Sequence, residues 1–314
     1  MFKTLRNSIS TSLSRLSPIA SGLWAPRMLG RRKAIRLFYA IILAVMAVVY
    51  GIAYLCHYPF RAHGIMTPGN EIVLRVSLCA AALLATIVMS RVDRRPLASY
   101  GLAAGHRVSH FGLGALTGIV SLSALMAVLT IAGGALVIPP HDPLTSSILS
   151  GLLWAIVFVL VGWSEEMVFR GYVFFRLARE VGPVTAAART SIIFALAHAF
   201  NPGEGIIGLL LVALFGFVAC FATWRTRSLW WATGMHAAWD WGSSFLFGAA
   251  DSGRMVSGHW LASQPLGPSW LGGGETGPEG SLFAFLILGM IALIVMLAFP
   301  ANRRDVRLAL QQSA

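Results

Sequence analysis

One segment of this sequence, WSEEMVFRGYVFFRLAR at residues 163–179, places two adjacent glutamates and an arginine at the end of an apolar run. Carboxylates at membrane depth are costly to keep there, so Glu165 and Glu166 are both candidate functional residues. On a helix, residues four apart share a face, whereas neighbours point about 100° apart. We therefore expect Glu166 to pair with Arg170. Glu165 then faces another direction, has no partner in its own helix and is free to exchange protons.

Two later segments add histidines, FALAH from Phe194 to His198 and HAAWD from His236 to Asp240. Asp240 follows His236 by four residues, so it can orient the imidazole or share its face. One interpretation is a site for a divalent metal such as zinc, with Glu165, His198 and His236 as ligands. In the other, Glu165 deprotonates a water positioned by His198, while His236 and Asp240 stabilise an oxyanion on a peptide carbonyl. Both interpretations lead to hydrolysis.

The elements that must position these residues are membrane-spanning helices. The chain is 57% hydrophobic and 11% charged, whereas a soluble domain carries roughly 25% charged residues. The formal net charge of +12 does not indicate nucleic-acid binding, because the basic residues lie between apolar runs and not on one continuous face. The composition predicts an all-α polytopic membrane protein embedded in a lipid bilayer.

A spanning helix needs about 20 predominantly apolar residues. Eight candidate segments meet this description, at about 37–57, 72–90, 111–138, 147–172, 185–201, 205–223, 229–250 and 281–299. The third is long enough to be tilted, or broken at its Gly-Gly pair. Arginines concentrate in alternate connections, which by the positive-inside rule predicts eight transmembrane helices with both termini cytoplasmic.

The segments outside this bundle are polar or basic. Residues 1–33 contain no acidic residue, and an apolar stripe at helical spacing predicts a basic amphipathic helix on the membrane surface, with a transit peptide as the alternative. The bundle itself occupies 34–300, and 301–314 form a basic cytoplasmic tail. Residues 263–280 are rich in glycine and proline and predict a turn-dominated loop on the outer side.

Helix lengths predict the depth of the site. His236 lies about 12 Å from the inner end of its helix, and His198 on the order of 15–20 Å from the inner end of its own. These residues and Glu165 can meet only if the helix that carries His198 starts later or tilts. The sequence predicts a site that opens toward the inner, cytoplasmic face.

The ordered motifs EExxxR, FxxxH and HxxxN/D resemble those of the CAAX-prenyl-protease-like intramembrane proteases, also called the CPBP or Abi family. The resemblance covers about residues 147–250, and the later stretch GPSWLGGGETGPEGS is similar to one in bacterial members. It implies a bacterial-type intramembrane peptidase in which Glu165 activates water and His198 assists it. The family has been described both as metal-dependent and as glutamate-dependent, so both interpretations stay open.

The resemblance also assigns the remaining residues. It implies that His236 with Asp240 stabilises the oxyanion, although eukaryotic members often carry asparagine at the last position and an ionised aspartate cannot donate a hydrogen bond. Three further residues are expected to support the site: Glu166, Arg170 and Phe194.

The implied substrate is a membrane-anchored protein or peptide in the bacterial inner membrane. Two other functions use the same residues. One is a non-catalytic binding or immunity protein of the same fold. The other is a proton-coupled transporter with the buried glutamate and histidines as a relay, although transporters often show internal repeats and none is found in this sequence.

Overall fold

The structure is a computed structural model, and its helices follow the apolar runs of the sequence. It describes residues 29–56, 65–103, 105–139 and 144–300. The predicted amphipathic helix up to residue 28 and the predicted tail at 301–314 lie outside the described residues. Within them the predicted all-α class is confirmed, with a few short strands in addition.

Each of the eight predicted segments contains a helix. The helices are α1 (Arg31–Leu55), α2 (Pro68–Val92), α3 (Arg107–Ile131), α4 (Leu144–Glu166), α5 (Tyr172–Val181), α6 (Pro183–His198), α7 (Ile206–Thr226), α8 (Trp230–Trp241), the short α9 (Ser269–Gly272) and α10 (Phe283–Ala298). By length and composition, five helices of the described chain can cross a membrane, with the 35 residues Ser147–Val181 counted as one. The chain is therefore an integral membrane protein. The count of eight crossings stays a prediction, because α6, α8 and α10 have 16, 12 and 16 residues.

One predicted helix break is observed, and two helix ends differ from the sequence prediction. The third segment is indeed broken at its glycine pair: α3 ends at Ile131, Gly133 adopts a φ of +74° that only glycine takes readily, and a strand follows. The fourth does not end near residue 172, because the π-helix Met167–Gly171 joins α4 to α5 and the helix continues to Val181. In the seventh, a second π-helix, Gly242–Leu246, follows α8 and ends the helical run. Such π-helical turns are rare in proteins, and those that occur are often found at functional sites.

One end of the bundle collects the arginines. Arg176 lies 3.9 Å from the Asp93 carboxylate, and Arg225 donates a 3.0 Å hydrogen bond to the carbonyl of Phe299. We call this the basic end; its described turns are 93–103 and 105–106, 182, and 227–229.

The opposite end is held by two pairs of strands. Strand β1 (Ile65–Met66) pairs in parallel with β3 (Met255–Val256), and β2 (Ala135–Ile138) pairs antiparallel with β4 (Ala262–Pro265). The glycine-rich loop at 263–280 lies at this end. It is therefore on the side opposite the arginine-rich connections, as the sequence predicts. It contains the end of β4, α9, a 3-10 turn and several glycines with positive φ. We call this the strand end; its described connections are 65–67, 132–139, 199–205 and 247–282.

Helices α3 and α8 touch through glycines. A Cβ at Gly114 would lie 2.1 Å from the carbonyl oxygen of Trp231, and one at Gly118 would lie 2.3 Å from that of Met235. Gly114 and Gly118 form a small-xxx-small pair, the pattern that lets membrane helices approach closely. The contact matters for the site, since α8 carries both His236 and Asp240.

We expect Gly118→Ala to lower the thermal unfolding temperature of the detergent-solubilised protein, because its methyl group collides with the α8 backbone. Gly112→Ala is the matched control. Position 112 lies on the same helix, is exposed and has no heavy atom within 4 Å of a built Cβ, so alanine there should be neutral or stabilising by up to about 1 kcal/mol. Equal unfolding temperatures for the two variants would contradict the close α3–α8 contact.

Candidate active site

The three predicted motif segments meet at one cavity of about 320 Å³. Five of the seven predicted site residues line it: Glu165, Phe194, His198, His236 and Asp240. The other two, Glu166 and Arg170, are fully buried behind the cavity wall. Helices α4, α6 and α8 supply the motif residues, and α2 adds Arg75, which was not among the predicted site residues.

Glu165 uses its two carboxylate oxygens differently. Its Oε1 accepts a 2.8 Å hydrogen bond from Nη1 of Arg75 on α2. Its Oε2 faces Nε2 of His198 at 3.9 Å and Nε2 of His236 at 3.8 Å. These distances are too long for direct hydrogen bonds and match gaps that one water molecule can bridge.

His198 is oriented by its own helix. Its Nδ1 lies 2.8 Å from the carbonyl oxygen of Phe194. A carbonyl only accepts hydrogen bonds, so Nδ1 carries the hydrogen and Nε2 of the neutral ring presents a lone pair toward Glu165. The centroid of the Phe194 ring lies 4.5 Å from the centroid of the His198 imidazole. It lies 3.9 Å from Cζ of the Arg170 guanidinium. The FxxxH spacing thus fixes one histidine nitrogen and covers the buried arginine.

Glu166 contacts both Arg170 and His236. Its Oε1 lies 3.3 Å from Arg170 Nη1, as the i,i+4 spacing predicts, and 3.0 Å from Nδ1 of His236. This second contact leaves Nε2 of His236 facing Glu165. Asp240 is also near the ring, but its Oδ2 lies 3.5 Å from Nε2, longer than a well-formed hydrogen bond. One role predicted for Asp240 was to orient the ring of His236. The distances show that Glu166 fits this role better.

Arg75 and Glu71 were not predicted as site residues. Arg75 also donates from Nε to Glu71, at 3.3 Å, and both line the cavity. Glu165 has no cationic partner in its own helix, as predicted, but it has one on α2. A signal was present, since Arg75 is a charged residue inside an apolar segment and Glu71 lies four residues before it, at the segment's start. The link of Arg75 to Glu165, 90 residues away, is not visible in sequence spacing.

Replacing Arg75 should reduce activity through misplacement of Glu165. We expect Arg75→Gln to lower kcat by about 10- to 100-fold, because a displacement of about 1 Å at a reacting group can reduce the rate by that factor. Arg75→Lys, which keeps the charge, should recover part of the loss. A purely structural role would instead lower the unfolding temperature of both variants equally and leave kcat per folded molecule unchanged.

The depths of the two histidines agree better than the sequence predicts. His198 is the last residue of the 16-residue α6, about 22 Å from its start at the basic end. Helix α8 begins beside Gly114, about 10 Å along α3 from Arg107, so His236 lies near 18 Å and not near 12 Å. The helix carrying His198 does not start later; the helix carrying His236 starts deeper.

Two further carboxylates line the cavity, Asp251 and Glu279, both from the strand end. Glu279 accepts hydrogen bonds from the backbone N–H and the hydroxyl of Ser252. Burial, with the nearby Glu279 charge, raises the pKa of Asp251 well above its usual value. Burial likewise raises the pKa of Glu279. Sequence spacing gave no signal for these residues, since they lie in a loop without periodicity.

The donor atoms do not form a metal site as arranged. Among the described residues, no group of three or more His, Cys, Asp or Glu side chains could hold a metal ion. The Arg75 guanidinium already binds one oxygen of Glu165, and a cation beside a ligand disfavours a dication. The predicted ligand set Glu165, His198 and His236 therefore does not fit zinc, and no step below uses a metal.

Comparison with known proteins identifies the segment that carries the motifs. Residues 147–242 match the family model of type II CAAX prenyl endopeptidase Rce1-like proteins. A comparison with curated proteins gives no match. This part of the chain is similar to Rce1-like proteins, and the predicted resemblance to CAAX-prenyl-protease-like proteins is confirmed for these residues.

The matched range contains every predicted site residue from Glu165 to Asp240 and excludes Arg75, Asp251 and Glu279. Together with the apolar helices, it indicates a membrane-embedded protease, a hydrolase that acts on a protein substrate.

Proposed function

We propose that this protein is an intramembrane endopeptidase that hydrolyses a peptide bond with a water molecule activated by Glu165. The observation that carries the proposal is the position of Glu165 Oε2, which faces Nε2 of His198 and of His236 at 3.9 and 3.8 Å. A water between these atoms can donate one hydrogen to Glu165 and the other to the lone pair of His198. The same water is then held for attack on a carbonyl carbon.

The reaction needs one base that later acts as an acid. Glu165 accepts a proton as the water oxygen bonds to the carbonyl carbon, which gives a tetrahedral intermediate with a negatively charged oxygen. As the C–N bond breaks, Glu165 returns the proton to the leaving nitrogen. The products are a new carboxyl terminus and a new amino terminus, and the glutamate is regenerated.

His236 presents a ring nitrogen that can stabilise the intermediate. Its Nδ1 hydrogen is directed to Glu166, at 3.0 Å, so Nε2 faces the reacting groups. When the ring is doubly protonated, Nε2 carries a hydrogen that can be donated to the oxyanion. Asp240, 3.5 Å from the same nitrogen, supports this donor from the next turn of α8. Arg170 balances the charge of Glu166 in the buried layer behind.

The proposed substrate is a membrane-anchored protein or peptide, and the proposed location is the bacterial inner membrane. The matched family is described as CAAX prenyl endopeptidases, enzymes of prenylated protein tails. The cavity is lined by apolar side chains on its helical walls, among them Val157, Phe158 and Leu211. Such walls accept an apolar or lipid-anchored segment beside the reacting bond.

The test compares the termini of membrane proteins, by mass spectrometry, between cells with the wild-type chain and cells with Glu165→Gln. We expect a defined set of cleaved termini to disappear in the variant at equal protein level. Glu180→Gln is the matched control, since Glu180 makes the same kind of ion pair at the basic end, far from the cavity. Coinciding profiles for wild type and Glu165→Gln would contradict proteolysis and favour binding or transport.

A chelator should leave the activity unchanged, because none of these steps uses a metal. The measurement is the cleavage rate of the purified protein before and after dialysis against EDTA, with added Zn²⁺ as the reversal. Loss of cleavage that Zn²⁺ restores would contradict the water-activation route through Glu165 alone.

A further inference from the structure

The site lies in the half of the bundle nearer the strand end. Arg75, which binds Glu165, is seven residues after the start of α2 at that end, or about 10 Å. His198 is the last residue of α6, which begins at the basic end. Asp240 is the residue before the last of α8, which runs in the same direction. Three helices therefore place the reacting groups on one side of the bundle centre.

The cavity continues from these groups to the strand end. Its lining residues outside the helices all belong to strand-end segments: Met66, Asn201, Asp251, Ser252, Arg254 and Glu279. In the described part of the chain, none of the lining residues belongs to the turns of the basic end.

On the other side the cavity is closed by packed core. Glu166 and Arg170 are fully buried directly behind it. Between them and the basic end lies a cluster of buried side chains that includes Tyr100, Met167, Tyr172, Phe174 and Leu229. A polypeptide approaching from the basic end would have to displace this core, so the strand end is the open route.

The charges of the two ends differ in sign. In its described connections the strand end has one arginine, Arg254, and carries the acidic residues Glu204, Asp251, Glu275 and Glu279. The basic end carries arginines on the turns and on the helix termini beside them: Arg91, Arg94, Arg95, Arg107, Arg176, Arg179, Arg225 and Arg227. By the positive-inside rule, the basic end is cytoplasmic and the strand end faces the outside.

We infer that the active site takes its substrate from the non-cytoplasmic side of the membrane. The substrate class is then a polypeptide segment exposed at the outer face beside the bilayer, and not a tail in the cytoplasm. The sequence predicts the reverse, an opening toward the inner face, because it underestimates the depth of His236. That the molecule entering the cavity is a substrate rests on the proposed function. The direction from which it enters rests on geometry and charge alone.

The test uses a membrane-impermeant maleimide on right-side-out and inside-out membrane vesicles. The three native cysteines, Cys56, Cys79 and Cys220, are first replaced by serine or alanine. Single cysteines are then introduced as Ser257→Cys, at an exposed position of the strand end, and Ser109→Cys, at an exposed position of the basic end. A third variant, Ser252→Cys, places the thiol at the cavity wall.

We expect Ser257→Cys and Ser252→Cys to label in right-side-out vesicles, and Ser109→Cys to label only in inside-out vesicles. The opposite pattern would overturn the inference. Labelling of Ser257→Cys but not Ser252→Cys in right-side-out vesicles would also overturn it, because the cavity would then be closed to that side. The same experiment in the Glu165→Gln background should give the same labelling, so orientation is tested independently of whether the protein is a protease.

Discussion

Glu165→Gln is expected to lower the cleavage rate of the purified protein by about 10²- to 10⁴-fold, the contribution usual for a positioned general base. The amide has nearly the shape of the carboxylate but cannot accept the proton of the attacking water. In the wild type, Arg75 donates a 2.8 Å hydrogen bond to Oε1 of Glu165. The amide oxygen of glutamine can accept the same bond, so the side chain should keep its place. The loss should appear in kcat more than in KM.

Two comparisons separate chemistry from folding. The unfolding temperature of Glu165→Gln should stay close to that of the wild type, because the residue lies at the cavity surface and keeps its neighbours. Glu180→Gln, the same change at the basic end, should retain full activity. A Glu165→Gln protein that folds normally and keeps more than about a tenth of the wild-type rate would refute the assignment of Glu165 as base.

Arg170→Met is expected to give the largest loss of stability, about 3–5 kcal/mol, as for other buried ion pairs that lose one partner. Both Arg170 and Glu166 are fully buried, and their charged atoms lie 3.3 Å apart. The guanidinium also fits against Gly216 of α7, where an added Cβ would lie 2.8 Å from Nη2. Methionine fills similar volume, but it leaves the Glu166 charge without its cation.

The double variant Glu166→Gln with Arg170→Met is the informative control, because it removes both charges. Its loss of stability in thermal unfolding should be smaller than the sum of the two single losses, since the unpaired buried charge is gone. Its activity should still be low, because Glu166 also orients His236. Additive losses in stability would show that Glu166 and Arg170 do not act as a pair.

The contacts within single helices could be predicted from the sequence. The i,i+4 rule gave the Glu166–Arg170 pair, and the FxxxH spacing brought Phe194 against His198. The order of the motifs on apolar segments indicated a resemblance to CAAX-prenyl-protease-like proteins, which the match at 147–242 confirms for that segment. These features depend on helical geometry and residue type, and both are written directly in the sequence.

Contacts between distant segments could not be predicted in the same way. Arg75 binds Glu165 across 90 residues, and Asp251 and Glu279 reach the cavity from an irregular loop. Depth was also misjudged, because the start of α8 is set by its glycine contact with α3 and not by its own length. The π-turns after Glu166 and near Asp240 have no periodic signature. Each of these depends on packing between helices.

We propose that this membrane protein hydrolyses peptide bonds of a substrate with a water molecule that Glu165 activates. The most direct test is cleavage in liposomes that contain only the purified protein and a peptide spanning one of the cleavage sites found in cells. We predict that the wild type releases both expected termini and that Glu165→Gln, reconstituted at equal amount, releases neither. Equal cleavage by the two proteins would contradict the account, as would no cleavage by a folded wild type of a peptide whose cleavage in cells depends on Glu165.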